Sequence, residues 1–358
     1  MRGLKSILAV LLVVIGSSSA IASESDAENQ YWLLLHEPAA IAELKLSPSQ
    51  QASFQSFLDE LDLRYFPLRN KPTEVAIAGI SKLAAEARAQ LKTLLEPPQQ
   101  KRLNELRLQQ LGNRALLQEE VIQKLGYTES QKQKIREINE ATQAGVAALQ
   151  KEATDGKPRK LLEQKHAKLQ TDQQKKIVAI LKPEQIANLK SLYGAPFELS
   201  RLGRLKFKPP EFVDTGEWVN SEPRKLAELQ GKVVVVHFYA FGCINCIHNY
   251  PWYRKWSDDF EGKDVVIVGI HTPETEKERS SESVRQKADE EKLKFPILID
   301  GKNENWNAWG NSMWPTVYVI DRQGYLRAYW QGELKWQGSD GEKYLRERIE
   351  TYLADRKP

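Results

Sequence analysis

Two kinds of hydrophobic pattern divide this chain near its middle. From about residue 201 onward, apolar residues come in short continuous runs separated by turns. Val233 to Ala240 is one such run, with the length and β-branched content of a buried central strand. Val265 to Ile270, Phe295 to Ile299, Thr316 to Ile320 and Tyr325 to Gln331 supply four more. Asp321 to Gly324 reads as a turn that joins the last two as a hairpin. Helical spacing covers 244–260, 279–293 and 341–354. This order predicts a mixed sheet with helices on both faces over residues 201–358.

The first half carries helical spacing only, and residues 30–200 are expected to form an all-α domain. Ser47, Pro48 and Gln50 open one helix as N-cap, first turn and capping-box partner. Thr128 and Gln131 repeat that box after Gly126 ends the preceding helix. Ile135, Ile138, Ala141 and Ala148 then keep to one side of the helix that follows. Two Leu-x-Pro-x-Gln starts, at Leu95 to Gln99 and Leu181 to Gln185, precede the pairs Leu103, Leu106 and Leu189, Leu192. The order therefore occurs twice, offset by 81 to 86 residues, as a duplicated helical hairpin would give. Residues 151–160, with Gly156 and Pro158, read as the loop between long helices. Gly203, Pro209 and Pro210 place the boundary with the second half at about 200–210.

Composition sharpens that division. Residues 24–200 hold 20 Gln and one Trp, whereas 201–358 hold 5 Gln and 8 Trp. Net charge is only +4, and the two halves are each nearly balanced, which argues against nucleic acid or an anionic membrane as a main partner. The N-terminus reads as a secretory leader over 1–22. Arg2 and Lys5 precede the apolar run Ile7 to Ile15, and small residues follow to Ala22. Cleavage after Ala22 or Ser23 would leave a periplasmic or secreted protein without an integral membrane segment; the other reading is an uncleaved anchor.

An oxidising compartment normally puts cysteines into structural disulfides. This chain has only two, Cys243 and Cys246. A bridge across so short a loop adds little chain-entropy stabilisation, so the pair points to chemistry. It follows a strand directly and opens a helix, where free N–H groups and the helix dipole favour a thiolate on Cys243. Cys246, one turn on, can then attack a mixed disulfide. We therefore expect Cys243 as nucleophile and Cys246 as resolving thiol, with no bound cofactor and no metal.

The run Gly231 to Cys246 resembles the active-site strand and helix of TlpA-like thioredoxins. It is most similar to the thioredoxin-like domain of DipZ-type proteins, which carry Cys-Ile-Asn-Cys. Gly269 to Glu274, Trp306 to Trp309, Trp314 to Asp321 and Gly332 to Leu334 also match, so the resemblance spans Phe212 to Tyr352. It implies an α/β thioredoxin fold, a thiol–disulfide oxidoreductase acting on protein thiols and disulfides, an upstream thiol–disulfide electron donor, and a lean towards the reductant role. It also implies a cis bond at Pro315 facing the active-site sulfurs, with Trp314 and Thr316 beside it in the substrate-binding stretch. His237 stands where many thioredoxins carry a buried acid. It is either a proton relay for Cys246 or a packed core histidine. His248 and His271 could join the cysteines in a metal site, or be surface and loop residues. A haem site would need a histidine where Ile247 stands, and a peroxidase would need a Pro and a Thr or Ser before the cysteine, where Tyr239 to Gly242 offer none. The capping boxes of the first half resemble the Leu-Thr-x-x-Gln repeats of small helical periplasmic proteins. That leaves a second reading, a chaperone-like or partner-docking binding protein with an accessory redox domain.

Overall fold

Continuous apolar runs become the middle of a six-stranded sheet in the computed structural model, which describes residues 19–155 and 157–355. The strands are β1 (Trp218–Val219), β2 (Val233–Tyr239), β3 (Val265–His271), β4 (Ile297–Ile299), β5 (Thr316–Ile320) and β6 (Leu326–Gln331), in the order β1-β4-β3-β2-β5-β6. β2, β3 and β4 run parallel, while β5 and β6 return antiparallel as the expected hairpin. All seven residues of β2 are buried, which is why its sequence shows no alternation. With the helices described below, this is the thioredoxin fold. The two-residue β1 was not expected; it is too short to leave a period in sequence.

The helices in chain order are α1 (Ser19–Leu35), α2 (Pro38–Ala42), α3 (Pro48–Tyr65), α4 (Thr73–Leu94), α5 (Pro97–Leu111), α6 (Glu119–Leu125), α7 (Glu129–Thr154), α8 (Arg159–Ile180), α9 (Pro183–Tyr193), α10 (Ile244–Asp259), α11 (Ser281–Glu290), α12 (Glu304–Ala308) and α13 (Gly341–Ala354). One sheet face, carrying Val233, Val235, Ile267, Val317 and Val319, packs against Tyr253 and Trp256 of α10, Val284 of α11 and Leu345 and Ile349 of α13. The leader expected over 1–22 lies outside the described residues up to position 18. Among the described residues no helix is long and apolar enough to cross a membrane.

The chain divides into two compact units with one boundary between Ser200 and Arg201, and the helical segment before residue 96 groups with the second half. Residues up to Leu95 group with Arg201 onward, and Glu96–Ser200 form the other unit. The physical reason is the second face of the sheet. Phe66, fully buried just after α3, sets its ring edge-on to Trp309 and Phe207. Arg69 donates to the Trp309 carbonyl at 3.2 Å and the Tyr318 hydroxyl at 3.1 Å, and lies over the Tyr318 and Tyr329 rings. Gly310 permits this close approach: its φ is +60°, and a Cβ there would lie 1.9 Å from the Phe66 carbonyl oxygen. Phe207 pairs with Leu326 at the sheet edge and stacks on His36 at 4.0 Å. His36 in turn bridges the Trp32 carbonyl (2.8 Å) and Asp62 (2.7 Å), and Asp62 accepts from the Lys208 backbone. The buried Glu37 accepts from Gly203 and Arg204. The segment before residue 96 is thus part of the core that supports the sheet.

The duplicated boxes have a shared geometry. Gln50 caps its own helix by accepting from Ser47, while its amide donates to the Leu94 carbonyl at the end of α4. Gln131 does the same with Thr128 and, at 3.0 Å, with the Ile180 carbonyl at the end of α8. Each glutamine therefore caps one helix start and one helix end, satisfying orphan groups at both. The first pair lies in one unit and the second in the other.

Candidate active site

β2 ends at Tyr239 and the chain turns through Ala240, Phe241 and Gly242 into α10. Cys243 is the N-cap of that helix, in extended conformation, and its N–H donates to the Ala240 carbonyl at 3.3 Å. Cys246 lies in the first turn, its N–H donating to the Cys243 carbonyl at 3.0 Å. Both residues are present as thiols. Cys243 keeps 9 % of its surface and Cys246 keeps 0 %, while Ile244 beside them is 60 % exposed. An approaching disulfide therefore meets Cys243 first.

Electrostatics separates the thiols in the same sense. A hydrogen bond from Cys246 and backbone N–H groups of the helix start stabilise the Cys243 thiolate and, against the opposing effect of burial, lower its pKa to about 7. Burial pushes the Cys246 thiol strongly upward, and its hydrogen bond to Cys243 adds to that. Tyr239, Tyr250 and Tyr253 surround this buried sulfur; all three phenols are raised by burial first, with the Cys246 charge adding to it. The arrangement suits one attacking thiolate and one protonated reserve thiol.

The Trp314–Pro315 bond is cis. Thr316 pairs with Phe238 in the β2–β5 ladder, so Pro315 lies at the strand end that leads into the cysteine loop. Trp314 stacks on Trp306 at 4.0 Å and donates through its ring N–H to the Thr272 carbonyl at 3.1 Å. Thr316 is buried and turns its hydroxyl back to the Met313 carbonyl at 2.8 Å, which leaves the exposed Met313 side chain at the rim.

His237 points to the face covered by α10. Its ring lies 4.0 Å from the Tyr253 ring and 4.9 Å from Phe295, and neither ring nitrogen has a hydrogen-bond partner among the described residues. Burial lowers its pKa to about 3. His248 lies on the exposed side of α10, its Nδ1 hydrogen-bonded to the Glu333 carboxylate at 2.9 Å. His271 is buried at the end of β3, stacks on Phe241 and accepts its N–H at 3.4 Å. The two histidines are thus held by separate partners.

Two residues of the site were missed in the sequence. Asn249, fully buried one turn after Cys246, accepts from the Leu334 N–H and donates to the Gly332 carbonyl, fixing the 332–334 turn beside α10. Glu278 is 1 % exposed and accepts from the Gly242 N–H at 2.6 Å. A Cβ on Gly242 would lie 2.9 Å from the Glu278 carboxylate. The Thr275-x-x-Glu278 spacing was a signal that could have found Glu278.

Residues 208–329 match the AhpC/TSA family model. Protein DipZ of Mycobacterium tuberculosis is 32 % identical over 127 residues, which are 35 % of this chain and 18 % of DipZ. The chain thus spans under a fifth of the length of that relative. Thiol-disulfide oxidoreductase YkuV of Bacillus subtilis is 25 % identical over 152 residues, 42 % of this chain and 98 % of YkuV. A solved thiol-disulfide isomerase from Corynebacterium glutamicum shares 25 % identity, covering 41 % of this chain and 97 % of its own, with a TM-score of 0.37. The part of the chain that carries Cys243 and Cys246 thus has a thioredoxin fold, matches the AhpC/TSA family model and is similar in sequence to thiol–disulfide oxidoreductases.

Proposed function

We propose that this protein is an extracytoplasmic thiol–disulfide oxidoreductase that reduces disulfides in protein substrates and is itself re-reduced by an upstream dithiol. The observation that carries the reading is the asymmetry of the pair: a Cys243 that keeps a small exposed surface and has its pKa lowered to about 7, and a fully buried Cys246 whose pKa is raised. The Cys243 thiolate attacks one sulfur of the substrate disulfide. That S–S bond breaks, a Cys243–substrate disulfide forms, and the leaving thiolate takes up a proton. Cys246 then gives up its proton and attacks the Cys243 sulfur, which releases the second substrate thiol and leaves a Cys243–Cys246 disulfide. Two electrons pass from the dithiol to the substrate.

The thiolate supports this direction. A strongly acidic thiol stabilises the reduced protein and makes an oxidant, whereas a thiol near 7 is the thioredoxin regime. The leader over 1–22 supports export. The contacts of Phe66, Arg69 and Asp62 give the segment before residue 96 a supporting role for the redox fold, which favours this reading over a separate docking module. The test is the reduction potential of the full chain against glutathione, together with insulin reduction. We expect a potential below about −200 mV, nearer thioredoxin than the strong oxidants of this fold, and turnover of insulin. A potential near about −120 mV would reverse the assigned direction.

A further inference from the structure

Glu278 is a buried carboxyl side chain that the exchange steps above do not use. Its two carboxylate oxygens take four hydrogen bonds. One oxygen accepts from the Gly242 N–H at 2.6 Å. The other accepts from the Glu274 N–H at 2.9 Å, the Thr275 N–H at 2.7 Å and the Thr275 hydroxyl at 3.0 Å. A side chain with that many backbone and hydroxyl donors is held in one place. It joins two loops far apart in sequence: the turn that presents Cys243, and the segment after β3. That segment also holds Trp314 through the Thr272 carbonyl. The exposed Glu274 is the residue whose backbone is fixed in this way, and its negative charge opposes ionisation of both Cys243 and Cys246.

We propose that Glu278 is a positioning residue for thiol–disulfide exchange: it clamps the Cys243 loop to the 272–278 segment and so fixes the Glu274 backbone beside that loop. This inference rests on the exchange chemistry proposed above and deepens it. The helix start favours a thiolate on Cys243. A carboxylate held nearby opposes that effect and keeps the thiol from becoming strongly acidic. By linkage, the reduced state is then less stabilised and the pair remains a reductant. The other titratable groups around the pair are His271, which accepts from Phe241 and whose pKa burial lowers to about 4, and the three raised phenols Tyr239, Tyr250 and Tyr253. All four are neutral near pH 7 and add no charge beside the pair.

The experiment follows the ultraviolet absorbance of the thiolate against pH in the full-length protein, for the parent, Glu274→Gln, Glu278→Gln and the double variant. Removing a partly screened like charge should lower the Cys243 midpoint by about 0.5–1 pH unit in Glu274→Gln. Glu278→Gln should shift it in the same direction, because the clamp is released. The double variant should go no further than the larger single shift, since both act through one carboxylate. The reduction potential should rise in all three. A Glu278→Gln protein with native circular dichroism but an unmoved midpoint and potential would overturn the proposal, as would an unmoved midpoint in Glu274→Gln. Thiolate absorbance does not depend on turnover. If the parent fails to reduce any disulfide while these shifts occur, the functional reading fails and the clamp stands.

Discussion

Replacing Phe66 by alanine probes the part of the structure least visible in the sequence. The ring is 1 % exposed and meets Tyr65, Phe207 and Trp309 edge-on, with centroids 5.9 to 6.4 Å apart. Truncating a buried phenylalanine costs about 3–5 kcal/mol, through lost transfer energy and the cavity left behind. Little collapse into that cavity is open to the site, because Gly310 already touches the Phe66 carbonyl and Arg69 is fixed by the Trp309 carbonyl and Tyr318. For a unit of this size each kcal/mol moves the melting midpoint by roughly 2–4 °C, so a loss of roughly 6–20 °C is expected. The assay is thermal and urea unfolding of the full chain, read by near-ultraviolet circular dichroism and by exposure of Cys246 to a thiol reagent. The two probes should shift together, because Phe66 and the cysteine pair belong to one compact unit. If Phe66→Ala leaves the thiol-exposure transition in place and moves only a separate helical transition, the assignment of residues before 96 to the redox unit is wrong.

Two further expectations concern the site itself. Alkylation of Cys243 in the reduced protein should rise with pH through a midpoint near 7, with Cys246 unreactive until unfolding; equal labelling of both thiols in the folded protein would contradict this asymmetry. His237 should be silent in the pH profile of exchange but not in stability. Its folded pKa of about 3 lies below the unfolded value of 6.5, so the unfolded chain binds the extra proton, and stability is lost as pH falls from about 6.5 towards 3. His237→Leu should flatten that acid dependence, measured by urea unfolding at pH 7 and pH 4.5, and leave the exchange profile unchanged; a flattened exchange profile would instead make the ring a proton relay.

The strands, the hairpin and the cysteine pair were legible because each leaves a local mark. Val233 to Ala240 is continuous and apolar because β2 is covered on both faces, and the Cys-x-x-Cys spacing needs only a strand before it and a helix after it. Pro315 was located from the Trp314-Pro315-Thr316 context, and the bond is cis. What was not legible depends on distant partners. An apolar helix face announces that something covers it, but not what. Phe66 meets Trp309, and Arg69 meets Trp309 and Tyr318 across some 240 positions, so the helices before residue 96 looked like part of the separate helical domain. Glu278 was hidden in the charged run Glu274 to Arg279, which reads as a solvated surface until its backbone donors are known. His237 shows the converse. Its position in the strand was clear, but the aromatic enclosure that lowers its basicity comes from α10 and the stretch before β4.

Trapping with Cys246→Ala tests the central claim most directly. Full-length protein carrying this change is mixed with a disulfide-bonded protein substrate such as insulin, quenched in acid, and mapped by peptide mass spectrometry. Without the resolving thiol, the first step should stop at a stable mixed disulfide on Cys243, and Cys243→Ser should capture nothing. Capture through Cys246 in the Cys243→Ser protein, with none through Cys243 in Cys246→Ala, would contradict the account.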